Sequence, residues 1–129
     1  VIQTILPALF PADKSSIVTI TGGTHNPLAP PFDFLSETFL PAIASGGFYC
    51  DCRLIKHCFF PAGGGKITFN VQPRQQSSSN GYQIINICQT PRKFYIDALI
   101  YTAKLPIHVA QRQEKLLFQC GLDIKNIKH

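Results

Sequence analysis

The sequence predicts an α/β fold of the mixed (α+β) kind, on three observations. Short β-branched or alternating runs stand near residues 17–21, 48–58 and 66–71. Amphipathic helical spacing precedes, separates and follows them. Glycine- and proline-rich loops mark the joins. At 129 residues, with 45% hydrophobic and 15% charged residues, the chain has the size and composition of a folded domain and not of a disordered one.

The elements follow in order. Ile2, Ile5, Leu6, Leu9 and Phe10 have helical spacing, and the pattern opens without a capping residue, as a helix cut from a longer chain would. Ile17–Thr21 is a β-branched strand. A loop runs from Thr21 through Gly22, Gly23, Thr24, His25, Asn26 and Pro27 to Pro30-Pro31. These prolines lead a helix with Phe32, Leu35, Phe39, Leu40 and Ile43 on one stripe. Pro41, having no amide hydrogen, should kink its later part. Phe48–Cys58 is a strand, Pro61-Ala62-Gly63-Gly64-Gly65 a loop, and Lys66–Val71 the returning strand.

Residues 72–82 are polar and serve as a linker. Gln83–Cys88 and Phe94–Tyr101 are two further strands joined by Thr90-Pro91-Arg92. Pro106 opens a helix to about Cys120, with Val109, Leu116, Leu117 and Cys120 on one stripe and Gly121 as its stop. The lysine-rich end to His129 offers no closing element, so a second, incomplete unit is expected.

Apolar runs are too short to span a membrane, and Val1-Ile2-Gln3 does not open a signal peptide. With Val1 and no Met in first place, a true start upstream is expected. Five cysteines at irregular spacing predict reduced thiols in the cytoplasm, not a secreted disulfide framework. The formal charge of +5 is scattered, compatible with a polyanion such as RNA but weak by itself.

Each candidate site has a plain alternative. The first loop ends at a helix start, where amides and the helix dipole suit an anion, yet a rigid strand-to-helix connection needs the same residues. It matches neither the phosphate loop nor the dinucleotide turn. Asp33 falls in the helix's first turn, where capping is its expected work. Gly63-Gly64-Gly65 serves a wide hairpin, with Lys66 beside it in reach of a phosphate. Cys50 and Cys52 share one strand face with His57 opposite, and their spacing is wrong for zinc, so no metal site is expected and the thiols act as small hydrophobes. His25, His57 and His108 have no Ser or Cys at a nucleophile spacing. Arg53, Arg74, Arg92 and Arg112 lie far apart, so an RNA-binding face must be assembled by folding.

Four ordered segments carry a resemblance. They are Gln3-Thr4-Ile5-Leu6-Pro7-Ala8-Leu9; Gly22-Gly23-Thr24 with Asn26, Ala29, Pro30 and Asp33; Pro61-Ala62-Gly63-Gly64-Gly65; and Pro106 with His108, Val109, Ala110 and Arg112. Together they resemble the RNA 3′-terminal phosphate cyclase family. The resemblance implies helices packed on a four-stranded sheet. Residues 1–72 would belong to the middle repeat of a large domain, truncated at its start, and 73–129 would begin a small inserted α/β domain.

It also implies an ATP-dependent enzyme, with a divalent metal, normally magnesium, accompanying the triphosphate. A histidine takes AMP, passes it to an RNA 3′-phosphate, and the 2′-hydroxyl closes a 2′,3′-cyclic phosphate. Gln3 and Pro30 match family positions at the adenylate site. Asp33 matches a common family acid. None of His25, His57, His108 or His129 matches the nucleophile, so no catalytic residue is expected in this chain and the fragment alone should be inactive. Cys58 and Phe60 stand for a common glycine and tyrosine, and Gln113 for a frequent glutamate, as in a divergent or decaying copy. The alternatives are a cyclase-like, non-catalytic protein of pre-rRNA processing and an inactive RNA-binding remnant.

Overall fold

A computed structural model describes residues 1–61, 63–73, 96–121 and 124–128, with only the backbone of Lys125 and Lys128. The chain divides into two compact units, residues 1–86 and 87–129. The expected strand at 83–88, the turn at 90–92 and most of the 72–82 linker lie outside the described residues.

In the first unit, α1 (Ile2–Leu9) is followed by β1 (Ser16–Gly22) and a helical segment over residues 32–44. Then come β2 (Cys50–Lys56) and β3 (Gly65–Val71). The sheet order is β1-β3-β2, with β3 antiparallel to both neighbours. β1 and β2 are therefore parallel, joined by a helical crossover, with β3 inserted between them. This split β-α-β arrangement meets the α/β expectation. The described residues of this unit contribute three strands to the sheet.

Side-chain alternation explains why β3 takes the centre. Gly65, Ile67, Phe69 and Val71 are all buried, while Lys66, Thr68 and Asn70 point the other way. Val18 and Ile20 of β1 and Cys50, Cys52 and Leu54 of β2 join the same inward face. Ile2, Leu6 and Phe10 cover it from α1 side, and Leu35 and Leu40 from the second helical segment. Burying such side chains contributes about 1.5–3 kcal/mol each.

The helical segment has three parts: α2 (Phe32–Phe34), a π-helical turn (Leu35–Phe39) and α3 (Leu40–Ala44). The expected irregularity at Pro41 therefore takes the form of a widened turn just ahead of it. The Leu40 amide reaches back five residues to the Leu35 carbonyl, immediately before the residue that has no amide hydrogen.

The strand expected over 48–58 is shorter. A bulge lies between Leu54 and Lys56, and His57 and Cys58 leave the ladder because Cys58 pairs with the first loop instead.

In the second unit, β4 (Ile96–Leu99) and β5 (Ile124–Lys128) are parallel, joined through α4 (Ile107–Gln119). Gly121 takes φ +70, the left-handed helix stop expected of it. β5 corrects the expectation that the lysine-rich end carries no element. A short strand with lysines at its second and fifth positions shows little apolar periodicity, and its partner lies about 28 residues away in sequence. Among the described residues no helix is long and apolar enough to cross a membrane.

The two strand thiols face the helical layer. Burial pushes Cys50 from 9.0 up to about 11, helped by the neighbouring Cys52 and Asp51 charges. Burial also raises Cys52, followed by Glu37 and Asp51. Since the thiolate is the nucleophile, Cys50 at pH 8 should hold roughly a hundredfold less of it than an unshifted thiol. Alkylation by iodoacetamide, followed by peptide mass spectrometry, is expected to modify exposed Cys120 well before Cys50 or Cys52. The protonated Cys50 thiol favours the fold below pH 9.0, and that contribution is lost as pH rises through about 11.

Candidate functional site

Residues 34 apart in sequence bring the two glycine-proline loops into one seam. Thr24, 6% exposed, is a buried polar residue on the inner side of the first loop. Its hydroxyl accepts the Cys58 amide hydrogen at 2.9 Å. The same oxygen lies 2.9 Å from the Cys58 carbonyl and 2.8 Å from His25 Nδ1. A hydroxyl carries one hydrogen, so it donates to only one of these at a time. The Thr24 and His25 amides also donate to the Cys58 carbonyl, at 3.0 and 3.1 Å. The Phe32 amide reaches the Thr24 carbonyl at 3.3 Å, which ties the helix start to the same residue.

His25 extends the seam. Its Nε2 meets Asp33 Oδ2 at 3.1 Å, so Asp33 stands in the first helical turn as expected while its carboxylate orients a histidine across the loop. His25 stacks on Phe59 at 4.9 Å between centroids and on His57 at 5.8 Å. Thr24, His25, Asp33, His57, Cys58 and Phe59 thus form one hydrogen-bonded and stacked cluster. The structure reinforces the rigid-connection reading of the first loop, because its polar groups serve the second loop.

Gly65 makes this approach feasible. A Cβ on Gly65 would stand 2.5 Å from the Gly22 carbonyl oxygen and 2.6 Å from Cys58 Cβ. A Cβ on Gly23 would overlap the Asn26 side chain. Gly64 takes φ +94 in the hairpin.

Gln3 and Pro30 are both exposed. Gln3 lines a cleft of about 420 Å³ with Leu6, Pro7, Phe10, Phe39 and Phe48, and is the sole polar residue among the described residues of its lining. Pro30 sits on the first loop and does not line that cleft, so these two residues are not brought together in one cavity. His57, read from its strand position as facing away from the thiols, lies against His25. Arg74 and Arg92 lie outside the described residues. The pairing of His25 with Asp33 was missed by sequence reasoning; the only available signal was a histidine and an acid framing one proline-rich loop.

The fold and seam define a split β-α-β unit whose two glycine-proline loops are locked together on one end of the sheet. Comparison with known proteins gives that unit its family. The family model for RNA 3′-terminal phosphate cyclase matches residues 1–118. A protein of Koribacter versatilis named RNA 3′-terminal phosphate cyclase is 42% identical over 113 residues, covering 88% of this chain and 30% of that protein. One of the same name from Ectopseudomonas mendocina is 41% identical over 114 residues, with 88% and 31% covered. A Pseudomonas aeruginosa protein of that name is 52% identical over 73 residues, 57% of this chain and 21% of its own length. The chain belongs to the RNA 3′-terminal phosphate cyclase family, and spans about a third of the length of the first two of these relatives.

Proposed function

We propose that this chain is a central part of an ATP-dependent enzyme that converts an RNA 3′-phosphate to a 2′,3′-cyclic phosphate. The match across residues 1–118, which includes both loops of the seam, carries this reading. A histidine elsewhere in the whole protein attacks the α-phosphate of ATP and releases pyrophosphate. An oxygen of the RNA 3′-phosphate then displaces that histidine and takes the AMP. The vicinal 2′-hydroxyl attacks the activated phosphorus, loses its proton and expels AMP, which leaves the cyclic ester. Positioning of the 2′-hydroxyl beside its target supplies much of the rate.

Within this chain, Gln3 and Pro30 contact the adenylate. Both are accessible, as that role requires. The glutamine amide can donate and accept, and the proline offers an apolar wall. The locked seam holds the loop that carries Pro30 at a fixed place relative to the sheet. Magnesium is expected with the triphosphate, and among the described residues no group of three histidine, cysteine or acidic ligands stands ready to hold it.

The whole protein, incubated with ATP labelled in the α-phosphate, is expected to form a histidine-linked AMP and to cyclise a 3′-phosphorylated oligonucleotide. The 129-residue chain alone is expected to do neither. Whole protein that takes no label, while binding RNA, would instead favour a non-catalytic relative.

A further inference from the structure

Among the described residues, those on the sheet face turned away from α1 and the second helical segment take no part in the core. Three cross-strand rows lie on that face: Ile17–Asn70–Asp51, Thr19–Thr68–Arg53 and Thr21–Lys66–Lys56. Every one of these residues is exposed or half-buried. Charge is graded along the face, from Asp51 at one end to Lys56 and Lys66 at the end beside the loop seam.

The cationic end is unrelieved. Lys56 and Lys66 are direct register partners, and like charges opposed across antiparallel strands repel. Among the described residues no carboxylate forms an ion pair with Arg53, Lys56 or Lys66. The Lys56 ammonium also leans over the glycine loop, 3.9 Å from where a Cβ of Gly64 would stand. A bound polyanion would remove this repulsion; no acid of the described fold does.

The rest of the face suits one kind of polyanion. The Thr19 and Thr68 hydroxyls lie 3.4 Å apart, so one donates to the other, and the remaining hydrogen and that of Thr21 can donate to phosphate oxygens. Ile17 and Ile55, 76% and 53% exposed, offer apolar contact to unstacked bases. A sheet face three strands across, about 10 Å between its outer strands, presents no helix or ribbon to enter a groove. Single strands, with their bases free to splay, are what such a surface accommodates.

We propose that this outer sheet face binds the backbone of single-stranded RNA, with Arg53, Lys56 and Lys66 meeting phosphates beside the loop seam. The choice of RNA rests on the proposed function; the binding itself requires none of the cyclisation chemistry.

The test uses the 129-residue chain and a labelled 12-nucleotide single-stranded RNA ending in a 3′-hydroxyl, without ATP. Affinity is read by fluorescence anisotropy across a salt series. Three phosphates neutralised on a single strand contribute about −2 to the slope of log affinity against log salt. Arg53→Ala/Lys56→Ala/Lys66→Ala should flatten the slope by about that amount and weaken binding more than tenfold at low salt. Arg53→Lys/Lys56→Arg/Lys66→Arg should retain both. Lys14→Ala, in the connection between α1 and β1 and outside the three rows, should change affinity less than twofold.

An unchanged slope in the triple alanine variant overturns the proposal. So does an equal loss in the Lys14→Ala control, or tighter binding of a duplex of the same length. Loss of binding in the alanine variant, with no adenylation by the whole protein, would support this surface while removing the cyclase reading. Adenylation with RNA binding untouched by the alanine substitutions would do the reverse.

Discussion

Phe69→Ala is expected to destabilise the first unit by about 3–5 kcal/mol, the usual range for emptying a large aromatic site in a core. Phe69 is 1% exposed and sits at the middle of the central strand. Its register partners are Val18 on one side and Cys52 on the other. Both α1 and the second helical segment contribute to the cluster that surrounds it. No single element can therefore move in to fill the void without disturbing another. Small domains have about 5–15 kcal/mol in all, so this one change removes a large share of it. Urea unfolding followed by circular dichroism should show the midpoint falling steeply with an unchanged slope, and Phe69→Leu should recover most of the loss. A shift below 1 kcal/mol would mean that Phe69 is not packed as described.

Phe69 was legible in the sequence because its information is local. Ile67, Phe69 and Val71 alternate with polar residues over one short run, and that period alone places them on one face. The same holds for Ile2, Leu6 and Phe10 on α1, for Pro41 in the second helical segment and for Gly121 after α4. The hairpin of β2 and β3 followed from two strands flanking a glycine loop. What stayed hidden depends on pairs distant in sequence. Thr24 meets Cys58 across 34 residues, and nothing near either residue marks the other as its partner. Asp33 fits helix capping by position, and only the folded loop brings His25 to its carboxylate. β5 pairs with a strand on the far side of α4, with too few apolar residues to show a period. The family emerged from four ordered segments, yet the order of motifs says nothing about whether Gln3 and Pro30 share a cavity.

Gly65→Ala is the other large effect, and it acts on the seam itself. One added methyl group would lie 2.5 Å from the Gly22 carbonyl oxygen, 2.6 Å from Cys58 Cβ and 2.8 Å from Thr24 Cγ2. The first of these belongs to backbone and cannot rotate away. Gly22 and Gly65 are register partners at the end of β1 and β3, so relief requires those strand ends to part. Parting them strains the hydrogen bonds by which Thr24 and His25 hold Cys58. Overpacking typically costs about 1–3 kcal/mol, and contact with backbone puts this case at the upper end. Thermal unfolding of the 129-residue chain should register that loss. Gly63→Ala, whose added carbon meets nothing within 4 Å, should be nearly neutral. On the proposed role of Pro30 at an adenylate site, the whole protein bearing Gly65→Ala should also bind ATP more weakly at temperatures where it remains folded. Equal stability of the two alanine variants would mean that the loops are not held together through Gly65, and the first loop would then be free to move independently of the second.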